Sequence, residues 1–266
     1  MRWSDYKGKS RPQILFSGVF LESKELFGRF FVEITMEEKQ HIGSLFDRIA
    51  ETYDVLNHGL SLSIDRRWRK KTVAQMQSAR EVLDVAVGTA DLAIEMLQRG
   101  KAGHVTGLDL SREMMRIGKL KVERSGLPAV DFVYGNAQEM PFADNQFDAV
   151  TCAFGCRNFQ DLDAGLREML RVVKPGGQVT ILEFSYPKDK TIRFFYNFYF
   201  DHVLPLIGWM VSKDKTAYRY LNKSVKHFIW GEAFAQHMRD TGFVRETFKP
   251  LTFGICTVYT AYKNNQ

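Results

Sequence analysis

One segment constrains the fold of this chain more than any other: residues 171–185, RVVKPGGQVTILEFS. Its first part continues an apolar helical pattern, and Pro175 with two adjacent glycines then interrupts regular structure. The apolar, β-branched run that follows, Gln178 to Glu183, has the length and composition of a buried strand. The segment therefore predicts a helix, a chain reversal and a buried strand, the order that closes a βαβ unit.

The same alternation of helix and strand patterns recurs along the chain. Strands are predicted at Val82–Ala86, His104–Asp109, Val130–Tyr134, Phe147–Cys152, Gln178–Glu183, Val244–Lys249 and Cys256–Tyr262. Helices are predicted at Glu37–Tyr53, Ser63–Gln77, Leu162–Val172 and Gly231–Thr241, with two more that end near Gln98 and Arg124. This order indicates an α/β fold: a Rossmann-like, doubly wound, mostly parallel seven-stranded sheet with N-terminal helices and a helical cap insert.

Composition excludes several classes of protein. With 266 residues, of which 45% are hydrophobic, the chain can bury a sizeable core. No uncharged apolar run reaches about 18 residues, so we expect no transmembrane helix. The three cysteines, Cys152, Cys156 and Cys256, form no even set of pairs and favour a reduced, cytoplasmic setting. We interpret them as buried structural thiols, and we expect no metal site.

The first 35 residues differ from the rest of the chain. Their apolar pieces are short, and Glu22 and Glu25 interrupt any apolar core that a signal peptide would need. A helical pattern begins directly after Met36. We therefore expect residues 1–35 to be a poorly ordered extension, with Met36 as the biological start, and residues 36–266 to form the folded domain.

Residues 186–230 form a distinctive insert in the predicted fold. The insert has eight Lys or Arg residues, three Asp and no Glu, and the whole chain has a net charge of +6. Its aromatic residues include Phe194, Phe195, Tyr196, Phe198, Tyr199, Phe200 and Trp209. Aromatic rings favour the membrane interface, and basic residues are attracted to anionic lipid. We interpret the insert as a cap over an apolar substrate with peripheral contact to an anionic membrane. A lid that only covers the sheet edge is the alternative.

Polar residues follow the predicted strands at the edge where open α/β sheets bind ligands. Asp84 and Gly88 lie at the end of the first strand, where a glycine lets the backbone approach a ligand closely. Asp109 ends the second strand, and a carboxylate there can accept both hydroxyls of a ribose. Asn136 and Ala137 follow the third strand and suit the edge of an adenine. Together these residues predict a nucleoside cofactor.

Two alternatives compete with this interpretation. A glycine-rich turn followed by an acid is also the fingerprint of dinucleotide binding, but Ala86, Ala90 and Leu92 break the Gly-x-Gly-x-x-Gly pattern. A nicotinamide-dependent dehydrogenase is therefore disfavoured. The second alternative is that Asp84 and Asp109 only cap the helices that follow them.

Four longer motifs carry a resemblance to a known family: residues 53–68, 136–142, 154–158 and 171–185. With these motifs the chain resembles the ubiquinone/menaquinone biosynthesis C-methyltransferase family, a class I group that depends on S-adenosylmethionine. The similarity runs from Met36 to Lys263. The resemblance implies S-adenosyl-L-methionine as the cofactor and a polyprenyl quinol as the substrate, which is methylated on a ring carbon.

The resemblance also implies a branch of the family. Asp65 stands where the ubiquinone-type pattern often has histidine, which favours a demethylmenaquinol substrate and the final step of menaquinone biosynthesis. The alternatives are methylation of the ubiquinone precursor 2-polyprenyl-6-methoxy-1,4-benzoquinol, and a non-catalytic lipid-binding protein on the same fold.

The family's cofactor contacts can be carried over by position. They fall on Thr89, Asp109, Asn136 and Ala137. Two positions depart from the family pattern. The turn after Gly88 normally has a second glycine where this chain has Ala90, and a serine that contacts the cofactor is replaced by Ala153.

The implied reaction needs an activated carbon nucleophile. A phenolic hydroxyl has a pKa of about 10, so a base or a cation beside the quinol oxygen must assist its deprotonation. Arg157 stays charged and suits a developing phenolate, although a salt bridge that anchors its loop is the competing interpretation. His58 or Tyr53 can take the proton, and Asn158 can orient the ring. For His58, a helix-end cap is the alternative.

Trp68 lies among Arg66, Arg67 and Arg69, a pattern that weakly suggests nucleic acid binding. One short basic segment with a single aromatic residue is poor support for such a partner. We predict instead that the arginines lie on the solvated face of a helix whose Trp68 packs inward, and we expect no nucleic acid partner.

Overall fold

Helices and strands alternate along the chain, as the sequence predicts. The structure is a computed structural model, and it describes residues 42–61, 63–203, 220 and 223–265. The strands are β1 (Ala79–Val85), β2 (Ala102–Asp109), β3 (Val130–Tyr134), β4 (Phe147–Ala153), β5 (Val173–Phe184), β6 (Val244–Leu251) and β7 (Cys256–Tyr262). The helices are α1 (Ile42–Leu60), α2 (Ile64–Gln75), α3 (Asp91–Gln98), α4 (Arg112–Ser125), α5 (Leu162–Val172), α6 (Lys190–Phe198) and α7 (Glu232–Thr241), with a 3-10 turn at Cys156–Asn158. The predictions for residues 1–35, Met36 and Trp209 lie outside the described residues.

The seven strands form a single sheet in the order β3-β2-β1-β4-β5-β7-β6. Strands β1 to β5 are parallel, and β7 runs antiparallel to both β5 and β6. The predicted seven-stranded, mostly parallel sheet is confirmed. The strand order reverses between β1 and β4, and such a reversal leaves a crevice at the carboxyl ends of the two strands, where open α/β sheets bind ligands.

Apolar side chains from both faces of the sheet pack against helices, which makes the fold doubly wound. On one face, Leu83 and Val85 of β1 belong to a core that includes side chains of α5 and α7. On the other face, Val82 belongs to a core built with α2, α3 and α4. Successive strand residues point to opposite faces, so the short apolar run of β1 serves both cores.

Two packing predictions are confirmed. Trp68 is buried, and its indole N–H donates a hydrogen bond to Thr252 Oγ1 at 2.8 Å. The three cysteines are free and buried. Cys152 and Cys156 lie in the core between the sheet and α5, with their Sγ atoms 3.7 Å apart. These thiols are therefore part of the packed interior.

β5 begins at Val173 rather than at the predicted Gln178. Both residues pair with β4, but their partners on β4 are only two residues apart, so the segment between them bulges out of the ladder. A Cβ on Gly177 would lie 2.7 Å from the backbone oxygen of Asp148, which explains the glycine. The prediction of a chain reversal at Pro175 is wrong, because this segment is a bulge within one strand.

α1 continues past the predicted end at Tyr53 and reaches Leu60. Three acidic side chains on one face of α1 pair with side chains of α4 or with Ser111, the residue that caps α4. The pairs are Asp47–Ser111, Glu51–Arg116 and Asp54–Lys121. These contacts hold α1 along α4, and they place the second half of α1 beside the turn that follows β1.

The described part of the insert contains α6, which begins after Asp189. The Asp189 carboxylate accepts hydrogen bonds from two backbone N–H groups of the first turn. Within α6, the side chain of Tyr196 is buried. Phe194, Phe195 and Phe198 are 68%, 64% and 54% exposed, so α6 presents an aromatic face to solvent. Among the described residues, no helix is both long and apolar enough to cross a membrane.

The turn between β1 and α3 has three residues in the left-handed backbone region. Ala86, Gly88 and Ala90 have φ angles of 55°, 54° and 66°. This region costs L-residues other than glycine roughly 1–2 kcal/mol. The backbone therefore favours glycine at all three positions, and the two alanines hold strain.

Replacing Ala90 by glycine should raise the free energy of unfolding by roughly 0.5–1 kcal/mol, because relief of the left-handed strain exceeds the extra entropy of the unfolded chain. Chemical denaturation at neutral pH measures the change. Ala93→Gly, in the interior of α3, is the matched control and should lower the free energy of unfolding by about 1 kcal/mol. Equal destabilisation by the two variants would contradict strain at Ala90.

Candidate active site

The carboxyl ends of β1 and β2 meet around the carboxylate of Asp109. One oxygen accepts a hydrogen bond from the backbone N–H of Gly88 and the other from that of Ser111, each at 2.8 Å. Burial raises the pKa of Asp109 in spite of these two bonds. A carboxylate oxygen has a second lone-pair site, so Asp109 is oriented by the backbone and keeps the capacity to accept ligand hydroxyls.

The residues that follow β3 lie beside Asp109. The backbone N–H of Gly135 donates to the backbone oxygen of Asp109 at 3.1 Å. Asn136 Oδ1 accepts a hydrogen bond from the backbone N–H of Gln138 at 3.0 Å, and Ala137 is buried. The residues predicted to bind the cofactor after β1, β2 and β3 therefore lie at neighbouring strand ends.

Asp84 lies within β1, and its carboxyl group is buried. Oδ1 accepts a hydrogen bond from Thr151 Oγ1 of β4 at 2.7 Å, whereas Oδ2 is buried without a hydrogen-bond partner in the described structure. Burial raises the pKa of Asp84 to about 7, and the bond from Thr151 offsets only part of this effect. Asp84 thus offers one unpaired oxygen at a carboxyl group that titrates near neutral pH.

Thr89 is buried in the turn after β1, where side chains from two other helices contact its hydroxyl. The hydroxyl donates to Asp54 Oδ1 of α1 at 2.6 Å and accepts from Lys121 Nζ of α4 at 3.1 Å. Neither partner is a predicted site residue. Thr89, whose position is carried over from the family as a cofactor contact, is therefore also the residue through which side chains of α1 and α4 contact the turn.

A group of alternating charges adjoins Thr89, and we call it the acid–base cluster. Its members are Asp54, His58, Asp65, Arg69, Asp91 and Lys121. Lys121 contacts the carboxylates of Asp54 and Asp91, and Arg69 contacts those of Asp65 and Asp91. The cluster joins α1, α2, α3 and α4 at the carboxyl end of β1.

Arg69 corrects the prediction for the basic segment around Trp68. Arg66 and Arg67 are exposed, as predicted, but the side chain of Arg69 is only 9% exposed. Its guanidinium contacts Asp65 one helical turn earlier, and its Nη2 lies 3.3 Å from Asp91 Oδ2. The prediction of a solvated Arg69 is wrong because the buried acid at i−4 and the acid that begins α3 both attract it inward.

Both carboxylates that contact Arg69 are ionised at neutral pH. Burial acts to raise the pKa of Asp65, but the hydrogen bond from Ser61 and the charge of Arg69 together outweigh it. Burial acts in the same direction on Asp91, where the charges of Arg69 and Lys121 outweigh it. Both pKa values therefore lie below the ordinary value of an aspartate.

Asp54, His58 and Asp91 place possible ligand atoms within 4.8 Å of one another, a spacing that suits a metal ion. The ammonium group of Lys121 bonds both aspartates of this group. A cation is thus already present between the two carboxylates, and the prediction of no metal site stands as an expectation.

His58 and Tyr53, the predicted proton acceptors, both lie on α1. His58 Nδ1 is 2.8 Å from Asp65 Oδ2, and its Nε2 is 3.8 Å from Asp91 Oδ2. Burial raises the pKa of Tyr53, and the charge of Arg157 offsets part of this shift. Tyr53 therefore stays protonated at neutral pH and is better suited to donate a hydrogen bond than to accept a proton.

Arg157 is buried in the 3-10 turn that follows β4. Its Nη1 donates to Glu183 Oε1 at 2.9 Å and to the backbone oxygen of Phe154. Burial acts to lower the pKa of Arg157, but the charge of Glu183 and other neighbours raise it overall. The salt bridge expected under the alternative interpretation, in which Arg157 anchors its loop, is present. Nε is nevertheless buried without a hydrogen-bond partner in the described structure, which leaves a donor for a ligand.

Asn158 contacts the cap insert through Tyr220. Tyr220 is buried, and its hydroxyl donates to Asn158 Oδ1 at 3.1 Å. Asn158 Nδ2 lies 3.4 Å from the backbone oxygen of Phe154. Sequence reasoning missed Tyr220 because no local pattern distinguishes it from the other aromatic residues of the insert. Glu183 had a usable signal, since it is an acid inside a buried apolar strand.

Three buried polar atoms at this end of the sheet have no hydrogen-bond partner in the described structure: Asp84 Oδ2, Asp91 Oδ2 and Arg157 Nε. The approach of Arg69 to Asp91 is an ion-pair contact outside hydrogen-bond geometry. Buried polar groups are normally paired, so such atoms mark positions for a ligand or water. A Cβ on Gly88 would meet nothing within 4 Å, so the turn also offers space. These features fit S-adenosylmethionine, which combines ribose hydroxyls with charged groups.

The sheet order and the carboxylate at the end of β2 are those of class I S-adenosylmethionine-dependent methyltransferases. The sequence profile of the ubiE/COQ5 methyltransferase family matches residues 34–263, and the chain belongs to this family.

Two relatives show the extent of the similarity. Demethylmenaquinone methyltransferase of Bacteroides fragilis is 42% identical over 230 residues, which cover 85% of this chain and 94% of the relative. Ubiquinone/menaquinone biosynthesis C-methyltransferase UbiE of Geotalea daltonii is 44% identical over 231 residues, which cover 85% of this chain and 98% of the relative.

Solved structures share the fold at low sequence identity. A SAM-dependent methyltransferase from Thermotoga maritima has a TM-score of 0.61 at 18% identity, covering 84% of this chain and 100% of that one. The [4+2]-cyclase SpnF has a TM-score of 0.58 at 16% identity, covering 86% and 97%. Because a cyclase shares the fold, the reaction must be argued from the site.

Replacing Asp84 by asparagine should make the free energy of unfolding less dependent on pH. The folded pKa of about 7 exceeds the ordinary value of an aspartate, 3.8, so between these values the folded protein holds a proton that the unfolded chain has released. The contribution of Asp84 to the free energy of unfolding is fully present below a pH of about 4 and is lost as the pH rises through about 7. Each unit by which the pKa is raised contributes roughly 1.4 kcal/mol.

Chemical denaturation of both proteins across this range measures the difference. Asp240→Asn, which changes an exposed aspartate of α7, is the control and should keep the wild-type profile. An unchanged pH dependence in Asp84→Asn would contradict the raised pKa.

Proposed function

We propose that this enzyme transfers a methyl group from S-adenosylmethionine to a ring carbon of a demethylmenaquinol. The observation that carries the proposal is the similarity to named relatives over nearly their whole length. Demethylmenaquinone methyltransferases of Bacteroides fragilis, Chlorobaculum parvum and Deinococcus radiodurans are 42%, 43% and 43% identical, and the alignments cover 94%, 95% and 94% of these relatives.

The cofactor side of the pocket lies at the ends of β1, β2 and β3. The residues assigned to it are Asp84, Gly88, Thr89, Asp109, Asn136 and Ala137. Asp109 accepts the ribose hydroxyls, because two backbone N–H groups already orient its carboxylate. Asn136 and Ala137 border the adenine. When bound, S-adenosylmethionine supplies the methyl group.

His58 is the base that the geometry supports best. Its Nδ1 faces the ionised carboxylate of Asp65 at 2.8 Å, so the ring carries its proton there and Nε2 is left as an acceptor. Nε2 takes the proton of the quinol hydroxyl, and Asp91, 3.8 Å away, stabilises the imidazolium that forms. The protonated hydroxyl of Tyr53 donates a hydrogen bond to the quinol oxygen.

Arg157 and Asn158 act on the developing phenolate. The unpaired Nε of Arg157 is a buried donor, and a buried donor stabilises negative charge more than one in water does. Asn158, held by Tyr220, orients the ring. The salt bridge to Glu183 keeps the guanidinium in place during the reaction.

A second candidate substrate is the ubiquinone precursor 2-polyprenyl-6-methoxy-1,4-benzoquinol. The relatives from Geotalea daltonii and Bartonella henselae, 44% and 38% identical, are named for both quinone pathways, which favours this candidate. The alternative of a non-catalytic lipid-binding protein on the same fold is based on Ala90 and Ala153, the two departures from the family pattern.

We also propose that the enzyme is cytoplasmic and that α6 contacts the inner face of the membrane, as part of a cap insert at residues 186–230 in a domain of residues 36–266. Phe194, Phe195 and Phe198 form an exposed aromatic face, and the exposed Lys188 and Lys190 lie at the start of the helix. Rings of this kind favour the lipid interface, and lysines are attracted to anionic headgroups. A polyprenyl substrate resides in the bilayer, so this contact brings the cap to its substrate.

Labelled S-adenosylmethionine with two reduced acceptors tests the reaction. We expect labelled product from a short-chain demethylmenaquinol and none from the benzoquinol precursor. The oxidised naphthoquinone is the control and should give no product, because it has no hydroxyl to deprotonate. Product from the benzoquinol alone would move the reaction to the ubiquinone branch. No product from either acceptor, with the cofactor bound, would favour the lipid-binding alternative.

Changing Phe194, Phe195 and Phe198 together to serine should abolish sedimentation with vesicles that contain phosphatidylglycerol. Wild-type protein should sediment with these vesicles and remain free of vesicles made only of phosphatidylcholine, since lysines attract anionic lipid. Val55→Ser, which changes an exposed apolar residue of α1, is the control and should bind like wild type. If the triple variant sediments as much as wild type, α6 does not form the membrane contact.

A further inference from the structure

The exposed side of α2 carries four positive charges. We call these residues the basic face of α2: Arg66, Arg67, Lys70 and Lys71. They lie opposite the buried side of the helix, which consists of Asp65, Trp68, Arg69, Thr72 and Val73. In the described part of the chain, no acidic side chain forms an ion pair with any of the four. The basic face is therefore a patch of uncompensated positive charge.

This arrangement is unfavourable for the helix itself. Arg66 and Lys70 are four residues apart, as are Arg67 and Lys71, so like charges are neighbours on the helix surface. The two arginines also lie near the start of a helix that begins at Ile64, where the helix dipole favours acidic residues. Since these charges do not stabilise α2, they favour a role in binding an anionic partner.

Phe253 is a second unusual feature beside α2. It lies in the turn Thr252–Gly254 between β6 and β7, and it is 77% exposed. Its φ angle is 57°, in the left-handed region that disfavours residues with a side chain. A ring that is mostly exposed gains little from packing, so burial does not offset this strain. Backbone strain of this kind clusters at sites that bind a ligand or a partner.

Hydrogen bonds join this turn to α2 and to the end of β5. The indole N–H of Trp68 donates to Thr252 Oγ1 at 2.8 Å, so α2 lies directly beside the turn. Ser185, the residue that follows β5, donates from Oγ to the backbone oxygen of Gly254 at 2.8 Å. The turn therefore lies at the carboxyl end of β5, the edge of the sheet where the proposed active site lies.

We propose that the basic face of α2 and Phe253 form a binding surface for anionic lipid, distinct from α6. The guanidinium and ammonium groups pair with headgroup phosphates, and the ring of Phe253 enters the lipid interface. The choice of lipid rests on the polyprenyl substrate proposed above, which resides in the bilayer. Contact through this surface brings the active-site edge of the sheet towards the membrane that holds the substrate.

Nucleic acid is another polyanion that a basic helix can bind. Proteins that bind single strands without reading their sequence stack the bases on aromatic side chains. Trp68 is the one aromatic residue between Ile64 and Gln75, and it is buried, so the exposed side of α2 offers no ring for stacking. One exposed ring next to a basic helix instead suits the interface of a membrane.

Titration with vesicles measures how strongly the protein binds lipid. Wild type should bind vesicles of phosphatidylcholine that contain phosphatidylglycerol. Arg67→Gln combined with Lys71→Gln should weaken this binding by roughly 10- to 30-fold, because each basic residue near an anionic membrane contributes about five-fold.

The matched control removes two exposed cations elsewhere. It combines Arg167→Gln, on α5 across the sheet, with Arg245→Gln, at the start of β6 and at the opposite edge of the sheet. Since the net charge falls by the same amount, this variant should bind within about two-fold of wild type if the position of the charges matters.

Phe253→Gly separates a binding role from a structural one. Glycine adopts the left-handed conformation without strain, so this variant should unfold at a higher temperature than wild type. It should also bind the anionic vesicles roughly 10-fold more weakly, because the interface loses an apolar ring. A less stable variant with unchanged vesicle binding would make Phe253 a structural residue and would overturn its place in the surface.

Three further results would overturn the proposal. The first is equal vesicle binding by wild type and the double variant of α2. The second is a failure of wild type to bind vesicles that contain phosphatidylglycerol. The third is binding of single-stranded DNA that is tighter than vesicle binding and is lost in the double variant, which would make the basic face a nucleic acid site.

The outcomes for this surface, for α6 and for the proposed reaction are separate. Loss of vesicle binding in the α2 double variant, with binding kept in the triple serine variant of α6, would support this surface and exclude α6. A short-chain demethylmenaquinol supplied without vesicles should be methylated by the α2 double variant at the wild-type rate. If wild type binds vesicles through α2 but methylates no quinol, the lipid surface stands and the proposed function is wrong.

Discussion

The backbone path at the end of β1 is the constraint on which the rest of the site depends. The sheet order reverses between β1 and β4, and the chain leaves β1 through left-handed residues at Ala86, Gly88 and Ala90. This path presents the N–H of Gly88 to Asp109 and the hydroxyl of Thr89 to α1. One turn therefore positions Asp109 and Thr89, two residues of the proposed cofactor pocket, and its dihedral angles admit only small residues at modest cost.

Buried charge then divides the pocket into two chemically different halves. Near β4, Arg157 and Glu183 form a compensated pair with one donor left over, which suits a phenolate that is charged only during the reaction. Near β1, Asp91 lies between two cations, since its carboxylate contacts both Arg69 and Lys121. His58, the base in the proposed reaction, contacts the second group through Asp65.

The insert connects the proposed substrate site to the surface of the protein. Tyr220 reaches the active site through Asn158, and the buried Tyr196 packs α6 onto the domain while the opposite face of α6 stays exposed. A single insert thus contributes both to the acceptor side of the pocket and to the proposed membrane contact. This arrangement suits a substrate with a polar ring and a long apolar chain.

The sequence by itself determined the order and type of the elements, because periodicity and caps are local: β3 at Val130–Tyr134 and α5 at Leu162–Val172 agree with their predictions at both ends. It also located the strand-end residues such as Asp109, since parallel strands bring their carboxyl ends to one edge. Only the tertiary structure decided the burial and the ion pairs of Arg69, which looks in the sequence like its exposed neighbours. The burial and the partners of a charge depend on which helix faces pack together, and Asp91 lies far from Arg69 along the chain.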